Sequence, residues 1–262
     1  MGKRHLDCLI LSDIHLATGE CRAQELADYL KSVSPAQVVL NGDIVDLMEI
    51  RRGIWPDSHH QVVRRLLKFA QKGIPVHWIA GNHDAGLRRL LTVDLGRLHL
   101  ADRLELELGG QRVLIVHGDR LEGGTPAWLR TLGTWLYDGV QCLVRGANHV
   151  RTRTGRERWA AGPLMARHVP WAGRHLDRFE RAAVDLARQG GFDVIAVGHV
   201  HVPANRLHDD AARPVRYLNS GDWVDSCSAL EFAGGEWHMV TLRDLRARGL
   251  LIDNPYDTLA VV

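Results

Sequence analysis

Long apolar runs are missing from this chain. Nowhere in its 262 residues do about 18 consecutive apolar residues occur, so no segment reads as a membrane-spanning helix. Cysteine is scarce. Cys8, Cys21, Cys142 and Cys227 form no C-x-x-C pair, and the chain is not small. That argues against a disulfide framework and fits a reducing cytoplasm. Cys8, inside an apolar run, reads as core. Neither sign of charge is in excess: the formal net charge is +2, so whole-chain charge gives no argument for nucleic acid. No aromatic stacking platform or recognition motif supports one either. Internal repeats, low-complexity tracts and the nucleotide cradles G-x-G-x-x-G and G-x-x-x-x-G-K are also absent. The basic opening Met1 to His5 resembles the start of a signal peptide, but Asp7 and Asp13 bound its apolar run far too early. That run reads as a strand.

What is present is ordinary in bulk and unusual in pattern. An apolar fraction of 45% and a charged fraction of 24% fit a globular chain, read here as one domain over 1–262. Five short apolar runs end in Asp, Asn or His. They are Leu9 to Leu11 before Ser12-Asp13-Ile14-His15, and Val38 to Leu40 before Asn41-Gly42-Asp43. Val76 to Ala80 precedes Gly81-Asn82-His83-Asp84, Val113 to Val116 precedes His117-Gly118-Asp119, and Val194 to Val197 precedes Gly198-His199-Val200-His201. Each run has the length and composition of a buried strand. A sheet that points five such ends at one place makes a polar cluster at its edge.

In chain order, Leu6 to Leu11 reads as a strand, Cys21 to Ser32 as an amphipathic helix, and Gln37 to Leu40 as a second strand. Ser58 with Gln61 has the capping-box pattern of a helix start. Val62, Val63, Leu66, Leu67 and Ala70 supply its apolar stripe, and Gly73 ends it. Alternating strands and helices predict an α/β sheet. The period then changes. Arg103 to Leu108 and Gln111 to Val116 alternate across Gly109-Gly110, and Cys227 to Val240 turns at Gly234-Gly235, so two antiparallel hairpins follow. The expected architecture is two sheets packed face to face with helices outside, an α/β (α+β) class. Residues 122–190 differ from the rest: eleven Arg, no Lys, six acidic residues and half of the tryptophans. Leu176, Phe179, Ala183 and Leu186 mark one face of its last helix, capped by Gly190-Gly191. Following His117-Gly118-Asp119 directly, this insertion reads as a helical lid over the site. Its Arg could bind phosphates, rest on anionic lipid beside Trp, or solvate a helix face.

Asp13, His15, Asp43, Asn82, His117, His199 and His201 are the converging side chains. Imidazoles, carboxylates and an amide oxygen suit borderline divalent ions: Mn²⁺, Fe²⁺ or Zn²⁺. Seven ligands exceed one tetrahedral site and suit two ions with one shared ligand, a device for phosphoryl chemistry. Each residue also has a bland reading. A lone His at a strand end is usually a turn or core residue, Asp46 and Asp119 can be turn caps, and Asp222-Trp223 reads as a strand-end turn with a packed indole. His59 and His60 read as solvated or behind the site.

These blocks resemble those of the calcineurin-like metallophosphoesterases: Asp13-x-His15, Gly42-Asp43-x-x-Asp46, Gly81-Asn82-His83-Asp84, His117-Gly118-Asp119 and Gly198-His199-x-His201, in the same order. The resemblance implies a double β-sandwich flanked by helices. It implies that Asp13, His15 and His201 hold one ion, that Asn82, His117 and His199 hold another, and that Asp43 bridges them. His83 would protonate the leaving group, oriented by Asp84, with Asp46 and Asp119 as outer supports. The lid and the stretch Tyr217 to Cys227 are similar to the UDP-2,3-diacylglucosamine diphosphatase branch, whose members cleave a nucleotide-lipid pyrophosphate and often use Mn²⁺. The chain departs from the lipid A enzymes of that branch in carrying His83 where they carry Arg. The resemblance thus implies a bacterial hydrolase of a phosphorylated small molecule or nucleotide-lipid. It would be cytoplasmic, with peripheral contact at the inner face of the membrane through the lid, and with no protein partner inferable. Two other expectations stand beside it: a soluble phosphomonoesterase or phosphodiesterase of nucleotides or phosphoprotein, and a non-catalytic scaffold on the same fold.

Overall fold

The computed structural model describes residues 2–53, 55–90, 96–121, 147, 151, 170–210 and 213–249. In chain order the first half runs β1 (Arg4–Leu6), β2 (Cys8–Leu11), α1 (Ala23–Ser32), β3 (Val33–Pro35), β4 (Val38–Asn41), α2 (Leu47–Arg51), α3 (His59–Gln71) and β5 (Val76–Ile79). A 3₁₀ turn over Ala85–Leu90, β6 (Leu98–Ala101), β7 (Arg103–Leu108) and β8 (Gln111–Val116) follow. The second half holds α4 (Pro170–Gly190), β9 (Val194–Val197), β10 (Ala204–His208), β11 (Val215–Asn219), β12 (Ser228–Ala233), β13 (Glu236–Thr241) and α5 (Leu242–Ala247).

Among the described residues the strands form two large sheets and one short pair. The six-stranded sheet has the order β13-β12-β2-β4-β5-β6, the five-stranded sheet β10-β11-β9-β8-β7, and β1 pairs with β3. Strands β2, β4, β5 and β6 run parallel, as do β8, β9 and β11. The two hairpins form as the sequence predicts, each turning through two glycines at positive φ: 58° and 77° at Gly109 and Gly110, 61° and 82° at Gly234 and Gly235. That is the geometry a two-residue turn needs to match the strand twist.

Pleating sorts the apolar residues into three layers of core. From β2, Cys8 and Ile10 point between the sheets, where they meet Val39, Ile79, Val113, Ile115, Val194, Ala196 and Leu230. Leu9 and Leu11 point the other way, onto α1 and α3 through Leu26, Leu30, Val62 and Leu66. From β9, Val194 and Ala196 join the inter-sheet core, while Ile195 and Val197 pack on Phe179, Ala183 and Ala187 of α4. The result is helix, sheet, sheet, helix. Strands buried on both faces lose the period-2 signature and read as continuous apolar runs, which is how β2, β4 and β9 look in the sequence. A buried clamp adds specificity at one end. Arg4 donates twice to Glu231, at 2.6 and 2.7 Å, and the Tyr29 hydroxyl donates to the same carboxylate at 2.7 Å.

Two expectations change, and a third falls mostly outside the described residues. The first strand divides at Asp7, whose N–H donates to the Phe232 carbonyl. Ser58 adopts a helical conformation and makes no side-chain cap, so the capping box does not form. Most of the expected lid, 122–190, lies outside the described residues; its last helix, α4, lies within them. No helix among the described residues is long and apolar enough to cross a membrane.

Candidate metal centre

The site forms where parallel strands of both sheets end. Asp13 follows β2, Asp43 follows β4, and Asn82, His83 and Asp84 follow β5. From the other sheet, His117 follows β8, and His199 and His201 follow β9. Loops beyond the carboxyl ends of parallel strands are free to present polar groups in one crevice. Backbone hydrogen bonds knit these loops together: Asp13 N–H to Gly42 O at 3.0 Å, His15 N–H to Asp43 O at 3.0 Å, and Gly198 N–H to His117 O at 3.0 Å. The sheets are joined at the site itself. The His199 N–H donates to the Asp13 carboxylate at 3.0 Å, and the Asn41 amide donates to Val116 O at 3.0 Å.

The backbone turns sharply at the ligands. Asp13, His15, Asp43, His199 and His201 all have positive φ, between 49° and 70°. Such turning lets Asp13 and His15 face one point, as their two-residue spacing requires. Among the described residues three groups of potential ligand atoms result, each with its atoms within 4.8 Å of one another: Asp13, His15 and His201; Asp43, His117 and His199; and His15, Asp46 and His83.

The donor set fits divalent ions. His117 donates through Nδ1 to the Asn41 carbonyl at 2.8 Å, which leaves Nε2 buried with no hydrogen-bond partner. That nitrogen sits 3.3 Å from Asp43 Oδ2. A ring lone pair facing a carboxylate oxygen in a buried place is a pair of acceptors that a cation reconciles. Without one, a proton must serve. Burial alone would push His117 down, but Asp43 and Asp13 outweigh it and lift the imidazole to about 10. His201 behaves alike: Asp13, 3.1 Å away, outweighs burial and lifts it to about 9. His15 goes the other way, to about 4, pushed by burial and then by His201. Burial would raise both carboxyls, yet His201 holds Asp13, and His117 holds Asp43, below the usual carboxylate range.

Glycines from the sequence blocks wall these ligands. A Cβ on Gly42 would collide with the His117 ring, and one on Gly81 with the Asp43 carboxylate. A Cβ on Gly198 would lie 2.5 Å from Asp13 Oδ2 and 2.6 Å from Ser12 Oγ. The glycine of one block therefore makes room for a ligand of another.

Hydrogen bonds define the surroundings of the remaining residues. Asp84 bonds the turn before His83, not the His83 ring. It is fully buried, and its two oxygens accept from Gly81 N–H at 2.6 Å, Ile44 N–H at 3.0 Å and Trp78 Nε1–H at 3.1 Å. The carboxylate on the His83 ring is Asp46, whose Oδ2 is 2.9 Å from Nδ1. Asp46 also caps α2, its Oδ1 accepting from Met48 and Glu49 N–H. The cap and the outer support are one residue. Asp119 accepts from Arg88 at 3.0 Å, and Arg88 also holds Asp102 and the Ala80 carbonyl. It braces the turn that carries Asn82 and His83, both exposed. His59 takes the second of its two readings, behind the site: it is buried, and its Nδ1 accepts from Ala17 N–H at 2.9 Å behind the Asp13 to His15 loop. Trp223 is packed against Tyr29, as a strand-end indole should be.

Sequence reasoning missed Asn219. This buried amide donates to the Gly198 carbonyl at 3.0 Å and accepts from Gly221 N–H at 2.9 Å, fixing the start of the His199 to His201 loop. Its only signal was an Asn at a strand end before Gly221. Phe179 of α4 packs close to Gly118 and lies beside the His199 ring, centroids 6.1 Å apart. The one described helix of the insertion thus touches the site wall.

Two sheets that bring histidines and aspartates to one edge in adjoining triads define a metal-dependent hydrolase of phosphoric ester or anhydride bonds. The chain belongs to the calcineurin-like phosphoesterases, whose family pattern matches residues 7–203. It is similar to the UDP-2,3-diacylglucosamine hydrolase of Aeromonas salmonicida, with 28% identity over 247 residues, 88% of this chain and 91% of that protein. The protein of the same name from Actinobacillus succinogenes is 25% identical over 256 residues, 91% of this chain and 97% of the relative. Among solved structures, a novel archaeal phosphodiesterase aligns with a TM-score of 0.43 at 13% identity, covering 89% of this chain and 98% of that one.

Proposed function

We propose that this chain is a dinuclear metal-dependent pyrophosphatase that releases UMP from a UDP-2,3-diacylglucosamine-like nucleotide-lipid. The observation that carries the reading is the pair of triads, Asp13–His15–His201 and Asp43–His117–His199, beside an exposed His83 backed by Asp46. Relatives named for that substrate, matching most of the chain, support the choice of substrate. Asp13, His15 and His201 would hold one ion. Asn82, His117 and His199 would hold the second, and Asp43 would bridge. The ligand set suits Mn²⁺, with Fe²⁺ or Zn²⁺ as alternatives. Two such ions supply charge neutralisation on the phosphoryl oxygens and acidify water near neutral pH.

The chain's own groups do the rest. His117 stays aimed by its bond to the Asn41 carbonyl, and Asp13 by the His199 N–H. His83 is the proton donor to the leaving oxygen. Asp46 binds Nδ1 and fixes the ring, so Nε2 is the nitrogen proposed to meet the substrate. Asp84 and Asp119 hold the turn that presents it. The chain is read as a single domain, 1–262, in which α4 packs on the five-stranded sheet and the lid role falls to the part of the insertion before it, nearly all of which lies outside the described residues. The lid is proposed to cover the acyl chains and to meet the membrane from the cytoplasmic side.

A soluble phosphomonoesterase or phosphodiesterase is the second reading, favoured by His83 itself, an acid suited to a range of leaving groups. The deciding experiment is hydrolysis of UDP-2,3-diacylglucosamine by Mn²⁺-loaded protein beside an aryl phosphate and an aryl phosphodiester. Fast UMP release with slow aryl turnover is expected. Aryl hydrolysis with no UMP would discard the nucleotide-lipid and keep the metal centre.

A further inference from the structure

Three triads of ligand atoms lie at the strand ends, and the proposed reaction uses two of them as ion sites. The third is His15, Asp46 and His83. We propose that it is a competing cation site, selective for a small four-coordinate ion such as Zn²⁺, and that filling it removes the proton donor from the reaction. The inference rests on the reading of His83 and of the two ion sites given above.

Its ligands are prepared for the task. Asp46 is locked by the helix it caps: Oδ1 accepts from Met48 N–H at 3.0 Å and Glu49 N–H at 3.2 Å. That leaves Oδ2 turned to His83 Nδ1 at 2.9 Å, with lone pairs to spare. The His15 and His83 rings meet edge to face, centroids 4.8 Å apart. The His83 side chain is 41% exposed, so an ion can enter from solvent and keep a water as its fourth ligand. Two imidazoles, one carboxylate and a water form a typical tetrahedral Zn²⁺ set. Mn²⁺ seeks more ligands, mostly oxygen, and binds such a set more weakly.

Sharing makes the site exclusive. His15 belongs both to this triad and to the one with Asp13 and His201. An ion drawn to Asp46 and His83 therefore competes for His15 with the first ion of the pair. The chemical consequence does not depend on which nitrogen of His83 binds. A ring held at the ion by His15 and Asp46 is withdrawn from the leaving oxygen. The loss should fall on substrates whose leaving oxygen needs a proton and spare those whose leaving group departs as a stable anion.

The test is diffraction from crystals of the full chain soaked in Zn²⁺, recorded at the zinc absorption edge. An anomalous peak among His15, Asp46 and His83 is the expected result. Peaks confined to the other two triads would overturn the proposal while leaving the dinuclear reading intact, and no peak at any triad would overturn both. In solution, rates on an alkyl and a nitrophenyl phosphodiester are compared for Mn²⁺-loaded and Zn²⁺-loaded protein. Zinc should depress the alkyl rate by about 10²- to 10⁴-fold, the usual worth of a general acid, and the nitrophenyl rate far less. An equal effect on both substrates would count against capture of His83.

Discussion

Substituting Gly42 by Ala should strip the metal centre without touching a ligand. Gly42 has φ +81°, and a Cβ there would overlap the His117 ring, 2.8 Å from the His117 Cβ at its least severe contact. The left-handed conformation alone costs an alanine roughly 1–2 kcal/mol. Relief of the overlap must move His117, because Gly42 sits in a loop fixed by the Asp13 N–H. Moving it breaks the 2.8 Å bond from Nδ1 to Asn41 O and leaves a buried polar pair unsatisfied, a further cost of roughly 1–3 kcal/mol. Gly73 is the control. It has the same φ of +81°, but nothing lies within 4 Å of its Cβ. Gly73→Ala should therefore lower Tm by roughly 2–8 °C and leave metal binding unchanged. Gly42→Ala should lower Tm further and weaken ion affinity by about 10- to 100-fold, the usual cost of disturbing what orients a ligand. Thermal melts with and without Mn²⁺, together with metal counts after gel filtration, measure both effects. If Gly42→Ala keeps two ions per chain and the wild-type gain in Tm on adding Mn²⁺, the argument that this glycine shapes the His117 site is wrong.

Three further outcomes follow from the same geometry. Asp46→Asn and His83→Ala should each slow hydrolysis of poor leaving groups by about 10²- to 10⁴-fold and affect aryl substrates much less; uniform loss across leaving groups would remove His83 as the acid. Asp84→Ala should act on stability, since it strands two buried backbone donors, at about 1–3 kcal/mol each, and the half-buried Trp78 indole; a variant with wild-type Tm and altered leaving-group dependence would restore Asp84 to the proton donor. Metal uptake at pH 7 should release protons, because His117 and His201, lifted to about 10 and about 9, hold them in the ion-free chain. Their raised values stabilise the ion-free fold fully below their unfolded value near 6.5, and that contribution is lost as pH rises through 9 to 10. Calorimetry in buffers of different ionisation enthalpy counts the released protons, and a count of zero would refute the assignment.

How much of this was legible in the sequence depends on which forces act locally. The glycine pairs of the hairpins were readable because a two-residue turn is a local steric problem. The convergence of the strand ends was readable because five buried runs stop at Asp, Asn or His, a repetition that single turn or core residues do not explain. What escaped was set by tertiary distance. Asp84 adjoins His83 in sequence, so it was the natural partner, but the turn sends its carboxylate inward to Gly81, Ile44 and Trp78. Asp46 reaches the ring from another strand end, and no spacing rule exposes that. Ser58 has capping-box chemistry, but it adopts a helical conformation and its side chain makes no cap bond.

The strain in the site argues that stability and metal binding are one quantity here. Seven residues other than glycine have positive φ among the described residues, and five of them are Asp13, His15, Asp43, His199 and His201. Asp tolerates that region better than most residues, but each such position still costs on the order of 1 kcal/mol. Buried beside them lies a histidine nitrogen with no partner and two carboxylates in close reach of imidazoles. A fold selected for stability alone would not gather these terms at one edge. Ions that bind the folded chain and not the unfolded one offset the cost by mass action, by about 1.4 kcal/mol for each tenfold excess over Kd. Chelation should therefore lower Tm, and the drop should vanish on replacing Asp43, the ligand common to both proposed ions, by Asn. If Asp43→Asn protein still gains as much Tm from Mn²⁺ as the wild type, the ions do not bridge at Asp43, and the strained loops are held for some other purpose.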